Sequence, residues 1–197
     1  MFKAIITGKN RSKRDNNFLE GEDADMSKKI ACVITNDFED SEYTEPVKAY
    51  KEAGHTVITI EKEAGKTVVG KTDKTEVKID KSIDSVNPAD FDALLIPGGF
   101  SPDQLRADDR FVAFTKAFMD EKKPVFAICH GPQLLITAKV LEGRDATGFT
   151  SIKVDLENAG VKFADKEVVV CGNQLVTSRT PDDLPAFNRE SLKLLEV

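Results

Sequence analysis

Short continuous apolar runs alternate along this chain with amphipathic stretches, the pattern of a mainly parallel sheet covered by helices on both faces. Residues 30–35 read as a buried first strand, and residues 42–53 as a helix stopped by Gly54. A second strand follows over 55–61, and residues 67–80 form a small hairpin with Thr72-Asp73 near its turn. The run Ala93–Ile96 is a fully apolar strand that ends on Pro97-Gly98-Gly99. Phe111, Phe114 and Phe118 share one helical face and belong to the core. Another apolar strand, 124–128, runs into a helix marked by Leu134, Leu135, Ala138 and Leu141 and stopped by Gly143. Residues 168–170 and 175–177 flank Gly172-Asn173, a two-residue hairpin signal. A last helix begins near Pro181 and carries Leu184, Phe187, Leu192 and Leu195.

The first 25 residues break this alternation. Residues 2–7 have the make-up of a short strand, but a basic run and then an acidic one follow. Five basic and five acidic residues cancel, and no apolar stretch of signal-peptide length is present. Met26 then leads directly into the first strand. Residues 1–25 therefore read as a leader or extension with little part in function, and residues 26–197 as a single α/β domain.

Composition narrows the function classes. The chain has 197 residues, 40% of them hydrophobic and 31% charged, with a formal net charge of −6. An acidic balance without a basic, aromatic-studded stripe excludes a nucleic-acid partner, and no apolar run approaches a membrane span. Three widely spaced cysteines without a C-x-x-C fit a reducing, cytoplasmic setting. With two histidines and no ligand spacing, neither a metal site nor a cofactor is expected.

The chemistry centres on Ala127-Ile128-Cys129-His130-Gly131-Pro132. A strand ends on a cysteine and a helix starts at once, which is the cysteine form of the nucleophile elbow. A sulfur on that turn faces free helical N–H groups, which favour thiolate over thiol. In an open parallel sheet, ligands bind at the carboxyl ends of the strands. The segment from Asn36 to Glu42, the Gly98-Gly99 pair and Cys129 should therefore meet over one crevice. The N–H groups of Gly99 and His130 either form an oxyanion hole or belong to ordinary turns. An acid beside the sulfur, partly buried, holds its proton and can shuttle it; Glu39, Asp40 and Glu42 all qualify by position. Adjacent turn residues point in different directions, so His130 need not touch the sulfur: it either serves substrate or caps the helix. Asp103 follows Ser101-Pro102 and is expected on helix-start grounds alone. Cys32 and Cys171 read as inert buried thiols, His55 as solvated, and Arg179 as an anion site or a structural salt bridge.

Four motifs together resemble one superfamily. They are Asn36-Asp37-Phe38-Glu39-Asp40-Ser41-Glu42, Leu95-Ile96-Pro97-Gly98-Gly99, Ala127-Ile128-Cys129-His130-Gly131-Pro132-Gln133, and Thr177-Ser178-Arg179-Thr180-Pro181-Asp182-Asp183-Leu184. In this order, from about Lys28 to the C-terminus, the chain resembles the PfpI-type superfamily of intracellular cysteine proteases and deglycases, and within it the bacterial general-stress branch. The resemblance implies a flavodoxin-like three-layer sandwich, assembled as a homodimer or a higher homo-oligomer. It matches Cys129 to the nucleophile, Glu42 to the carboxyl that hydrogen-bonds it, and Gly99 and the His130 N–H to the oxyanion donors. In the protease branch a glutamate of a neighbouring subunit orients the histidine. Its counterpart here is Asp103, one methylene shorter.

Three functions follow as expectations. The first is cysteine-dependent conversion of reactive carbonyls such as methylglyoxal and glyoxal, of glyoxalase or deglycase type, protective under stress. The second is peptide or amide hydrolysis with His130 as base and an acid from a partner chain. The third is a redox sensor or chaperone in which Cys129 is oxidised without turnover.

Overall fold

The computed structural model describes residues 26–197; the proposed leader lies outside them. Strands β1 (Lys29–Val33), β2 (Thr56–Glu61), β3 (Thr67–Val69), β4 (Glu76–Lys78), β5 (Lys81–Ser82), β6 (Ala93–Ile96) and β7 (Val125–Ile128) are followed by β8 (Asp145–Ala146), β9 (Lys162–Phe163), β10 (Val169–Cys171) and β11 (Leu175–Ser178). The helices are α1 (Asp40–Glu52), α2 (Ser101–Leu105), α3 (Asp109–Asp120), α4 (Pro132–Thr137), α5 (Lys153–Asn158) and α6 (Leu184–Leu195).

The main sheet has seven strands in the order β10-β11-β7-β6-β1-β2-β5. Every neighbouring pair is parallel except β10 with β11. Alternation along each strand divides the core into two. Ala31, Val33, Leu94, Ile96, Val125 and Ala127 face one side, where Phe111, Phe118 and Leu135 of α3 and α4 cover them. Ile30, Cys32, Leu95, Phe126 and Ile128 face the other, under Tyr50 of α1 and Phe187 of α6. The central strands are buried along their length, so they read as unbroken apolar runs. This is the flavodoxin-like three-layer sandwich expected from the sequence.

The chain runs from β1 outward to β2, then returns to place β6 on β1's other side. The switch point therefore lies between β1 and β6, with the end of β7 alongside. Loops at this edge are stitched together. Phe38 bridges Gly99, the Phe100 N–H donates to the Asp37 carbonyl at 2.8 Å, and the Thr35 N–H to the Ser101 hydroxyl at 2.9 Å.

Some local expectations change. The helix after the elbow ends at Thr137, and Lys139 turns left-handed (φ 57°) instead of continuing it to Gly143. Leu141 is still buried, but from a loop. The α1 helix starts at Asp40, two residues earlier than its pattern suggests. Gly172 and Asn173 are both left-handed, as their hairpin turn demands, with Gln174 as a third loop residue. His55 is not simply solvated: its Nδ1 accepts the Lys28 N–H at 3.1 Å. Cys171 is half-buried, not buried. Arg179 is held by Asp183 and Asp165 at 2.8–3.0 Å, the structural salt bridge of the two alternatives.

Candidate active site

Cys129 stands at the end of β7 with φ 60°, a left-handed conformation that a non-glycine residue adopts only when its surroundings hold it there. Its N–H donates to the Ser178 carbonyl at 3.0 Å, and its carbonyl accepts from the Phe149 N–H at 2.9 Å. The next turn closes through the Gly131 N–H on the Ile128 carbonyl at 2.8 Å. Any side chain at Gly131 would press on the Ile96 and Ile128 backbones, so the tight elbow needs glycine there. The cysteine is only 7% exposed.

The three candidate acids part company. Glu39 pairs with Lys71 at 3.1 Å. Asp40 turns into the β3–β4 hairpin, where its carboxylate accepts the N–H groups of Thr72 and Thr75, each at 2.9 Å. Those donors outweigh burial and hold Asp40 down at about 2. Glu42 alone points under the elbow, completely buried. One of its oxygens accepts the Gly98 N–H at 2.9 Å; the other is buried with no hydrogen-bond partner. Gly98 fits between Glu42 and Cys129 only because it lacks a Cβ, which would collide with the Glu42 carboxyl and with Cβ of Cys129.

Electrostatically, Glu42 and Cys129 form one unit. Burial raises the Glu42 carboxyl to about 8, and the Gly98 N–H resists that rise. Burial also pushes the thiol up, and a charged Glu42 would push it further. This reverses the expectation that the helix start alone makes the sulfur acidic. The α4 helix has only six residues, and desolvation exceeds what its end supplies. Two backbone donors, the N–H groups of Gly99 and His130, favour charge on the sulfur. They are the groups expected at an oxyanion hole. Gly99 takes φ 73°, and a Cβ there would strike the backbone of residues 37–39.

His130 does reach the sulfur, with Nδ1 at 3.3 Å from Sγ. Its ring stacks on Phe149, centroids 4.9 Å apart, and its Nε2 lies 3.2 Å from the Ser151 hydroxyl. Burial and then the Lys71 charge lower its pKa, which keeps the imidazole neutral near pH 7; Asp103 opposes them. Within one chain Asp103 does not bond His130, because it is engaged with Arg106 at 2.9 Å. Phe149, Ser151 and Lys71 carried no motif in the sequence. They arrive from segments whose place at the site is set only by the fold.

Among the described residues no group of three His, Cys, Asp or Glu side chains is arranged to hold a metal, and no helix is long and apolar enough to cross a membrane.

A strained cysteine elbow at the switch point of a flavodoxin-like sheet, with a buried carboxyl beneath it, defines a class of cysteine-centred α/β proteins. Comparison with known proteins narrows the class: residues 28–194 match the DJ-1/PfpI family, and the chain belongs to that family. It is 76% identical over 171 residues to General stress protein 18 of Bacillus subtilis, covering 87% of this chain and 99% of that protein. It is 65% identical over 170 residues to Protein/nucleic acid deglycase 2 of Escherichia coli, covering 86% and 99%. Among solved structures, a two-domain protein from Anabaena variabilis with DJ-1/ThiJ/PfpI-like and ferritin-like domains superposes with a TM-score of 0.82 at 37% identity, over 85% of this chain and 48% of that longer one.

Proposed function

We propose that this protein is a cysteine-dependent enzyme acting on reactive carbonyls, of the glutathione-independent glyoxalase or deglycase type. The observation that carries this reading is the completely buried Glu42 carboxyl, raised to about 8 and separated from Cys129 only by the Gly98 backbone that packs on both. A proton-holding acid at a nucleophile is what an internal proton transfer needs.

With methylglyoxal the sulfur of Cys129 attacks the aldehyde carbon. The S–H proton passes to His130 Nδ1 as the C–S bond forms, and the carbonyl oxygen takes the electron pair and a proton from Glu42, giving a hemithioacetal. The N–H groups of Gly99 and His130 face that oxygen as its charge develops. Glu42, now a carboxylate, removes the hydrogen from the former aldehyde carbon as a proton and returns it to the neighbouring carbon. The two carbons exchange oxidation level, so no external oxidant or cofactor enters. Water then cleaves the resulting 2-hydroxy thioester to lactate and regenerates the thiol. On an early glycation adduct the sulfur would bond to the carbinolamine carbon as its C–N bond breaks, with Glu42 protonating the departing amine. The 7% exposure of Cys129 favours such small electrophiles over a peptide bond in a folded protein.

The peptidase reading has one observation in its favour, the 3.3 Å contact between His130 and the sulfur. It needs an acid from elsewhere, and Asp103 of a second copy is the candidate. The three free cysteines fit a cytoplasmic setting, with the chain assembled as a homodimer or larger homo-oligomer.

The test is lactate production from methylglyoxal followed by NMR, comparing wild type, Cys129→Ala and Asp103→Ala. Lactate from wild type and Asp103→Ala but not from Cys129→Ala supports the carbonyl reading. Absence of lactate from folded wild type, with peptide cleavage that depends on Asp103, overturns it in favour of hydrolysis.

A further inference from the structure

We infer that Ser151 is a positioning residue for the active-site histidine, completing a Cys129–His130–Ser151 relay within a single chain. The inference deepens the reading of Cys129 as nucleophile but not the choice of substrate, and its test is independent of any substrate.

The segment after β8 is tied to the elbow and touches the imidazole twice. The Phe149 N–H holds the Cys129 carbonyl at 2.9 Å, which ties the segment to the elbow. The Phe149 ring lies against the imidazole at 4.9 Å, with 29° between the planes. The Ser151 hydroxyl sits 3.2 Å from Nε2 while Nδ1 faces Sγ at 3.3 Å. Gly148 lets this segment approach, since a Cβ there would lie 3.2 Å from the Cys129 carbonyl oxygen.

A neutral imidazole has one N–H and one lone pair, and the partner of one nitrogen fixes the state of the other. With the serine oxygen accepting from Nε2–H, the lone pair is left on Nδ1, directed at the thiol. The S–H bond then breaks toward Nδ1: the proton moves to nitrogen, the electron pair stays on sulfur, and the imidazolium keeps both hydrogen bonds. The charged or titratable groups that bear on this ring are Cys129, Lys71 and Asp103, with Glu42 on the far side of the sulfur. None of them touches Nε2. A hydroxyl in that place sets the tautomer without adding a negative charge. The histidine therefore remains a weak base and leaves the proton inventory of the site to Glu42.

The test uses full-length protein labelled with 15N-histidine, together with iodoacetamide alkylation of Cys129 across pH 6–9. Wild type should show the Nε2–H tautomer of His130. Ser151→Ala should show a mixture of tautomers and about 3- to 10-fold slower alkylation near neutral pH, the loss of one hydrogen bond. Ser151→Thr should restore both within about twofold, because it keeps the hydroxyl. Ser151→Asp should raise the His130 pKa by placing a carboxylate on Nε2. An unchanged tautomer and alkylation rate in Ser151→Ala, or failure of Ser151→Thr to rescue a folded variant, overturns the inference. If these readouts behave as expected but methylglyoxal yields no lactate, the relay stands and the carbonyl reading falls.

Discussion

Two cysteines lie in the same core layer of this protein and have opposite prospects. Cys32 sits in the middle of β1, completely buried, and its thiol is pushed well up by desolvation. Cys129 is packed into the same layer at the end of β7, and burial pushes its thiol up as well. Desolvation by itself therefore does not make a reactive cysteine; it makes an inert one. What separates them is what the chain does next. After Cys32 the strand continues. After Cys129 the backbone turns left-handed and aims the sulfur at two N–H donors, an imidazole and an acid. The low-dielectric surroundings that silence Cys32 strengthen each of those contacts at Cys129.

Glu42→Gln should weaken this contrast most. Loss of the proton-transfer group is expected to lower kcat by about 100-fold or more, measured as lactate formation, with Cys129 still present. Glu42 gives up its proton near pH 8, so wild-type kcat/KM should fall as pH rises through about 8, and that fall should disappear in the variant. Stability should fall with pH as well. The native state holds the Glu42 proton more tightly than the unfolded chain does, from 4.5 up to about 8. Its contribution is fully present below pH 4.5 and declines as pH rises to about 8, by roughly 5 kcal/mol at the upper limit. The glutamine cannot ionise, so urea denaturation at pH 8 should find the variant more stable than wild type. A variant equally active, or less stable at pH 8, would separate Glu42 from the role assigned to it.

Gly98→Ala is expected to act through the same two residues from outside. A methyl group there would stand 2.7 Å from Cβ of Cys129 and against the Glu42 carboxyl, so one must move. A stability loss of about 1–3 kcal/mol and a fall in kcat of roughly tenfold should follow, seen by thermal denaturation and steady-state kinetics. Retained activity would mean that the acid and the sulfur need not be so closely held.

The fold was largely legible because its central strands are unbroken apolar runs, and 93–96 and 125–128 cannot be read otherwise. The elbow was legible for a local reason: a cysteine between a buried strand and Gly131-Pro132 can only sit on a sharp turn. The choice among Glu39, Asp40 and Glu42 was not legible from spacing. It depends on the β3–β4 hairpin, some 30 residues on, which takes Asp40 through Thr72 and Thr75 and presents Lys71 to Glu39. Family resemblance singled out Glu42, and only the packed hairpin supplies the physical reason. Ser151 and Phe149 lay in a segment without periodicity, and two-residue strands such as β5 and β8 leave no pattern to read. The direction of the Cys129 shift is not legible in the sequence, which displays a helix start but not the desolvation that outweighs it.

The smallest effect tests the silent partner of the comparison. Cys32→Ala removes a sulfur from a fully buried position on the α1 and α6 side of the sheet, leaving a cavity the size of one atom. Lost packing should cost about 1–2 kcal/mol, measured by denaturant titration. Activity should remain within about twofold of wild type, since β1 enters the site through the loop beyond it and not through this side chain. Iodoacetamide should label native wild type at Cys129 and leave Cys32 untouched until unfolding. Equal labelling of both cysteines in native protein would mean that the donors and acid around Cys129 confer no advantage, and burial would then be the whole account of both thiols.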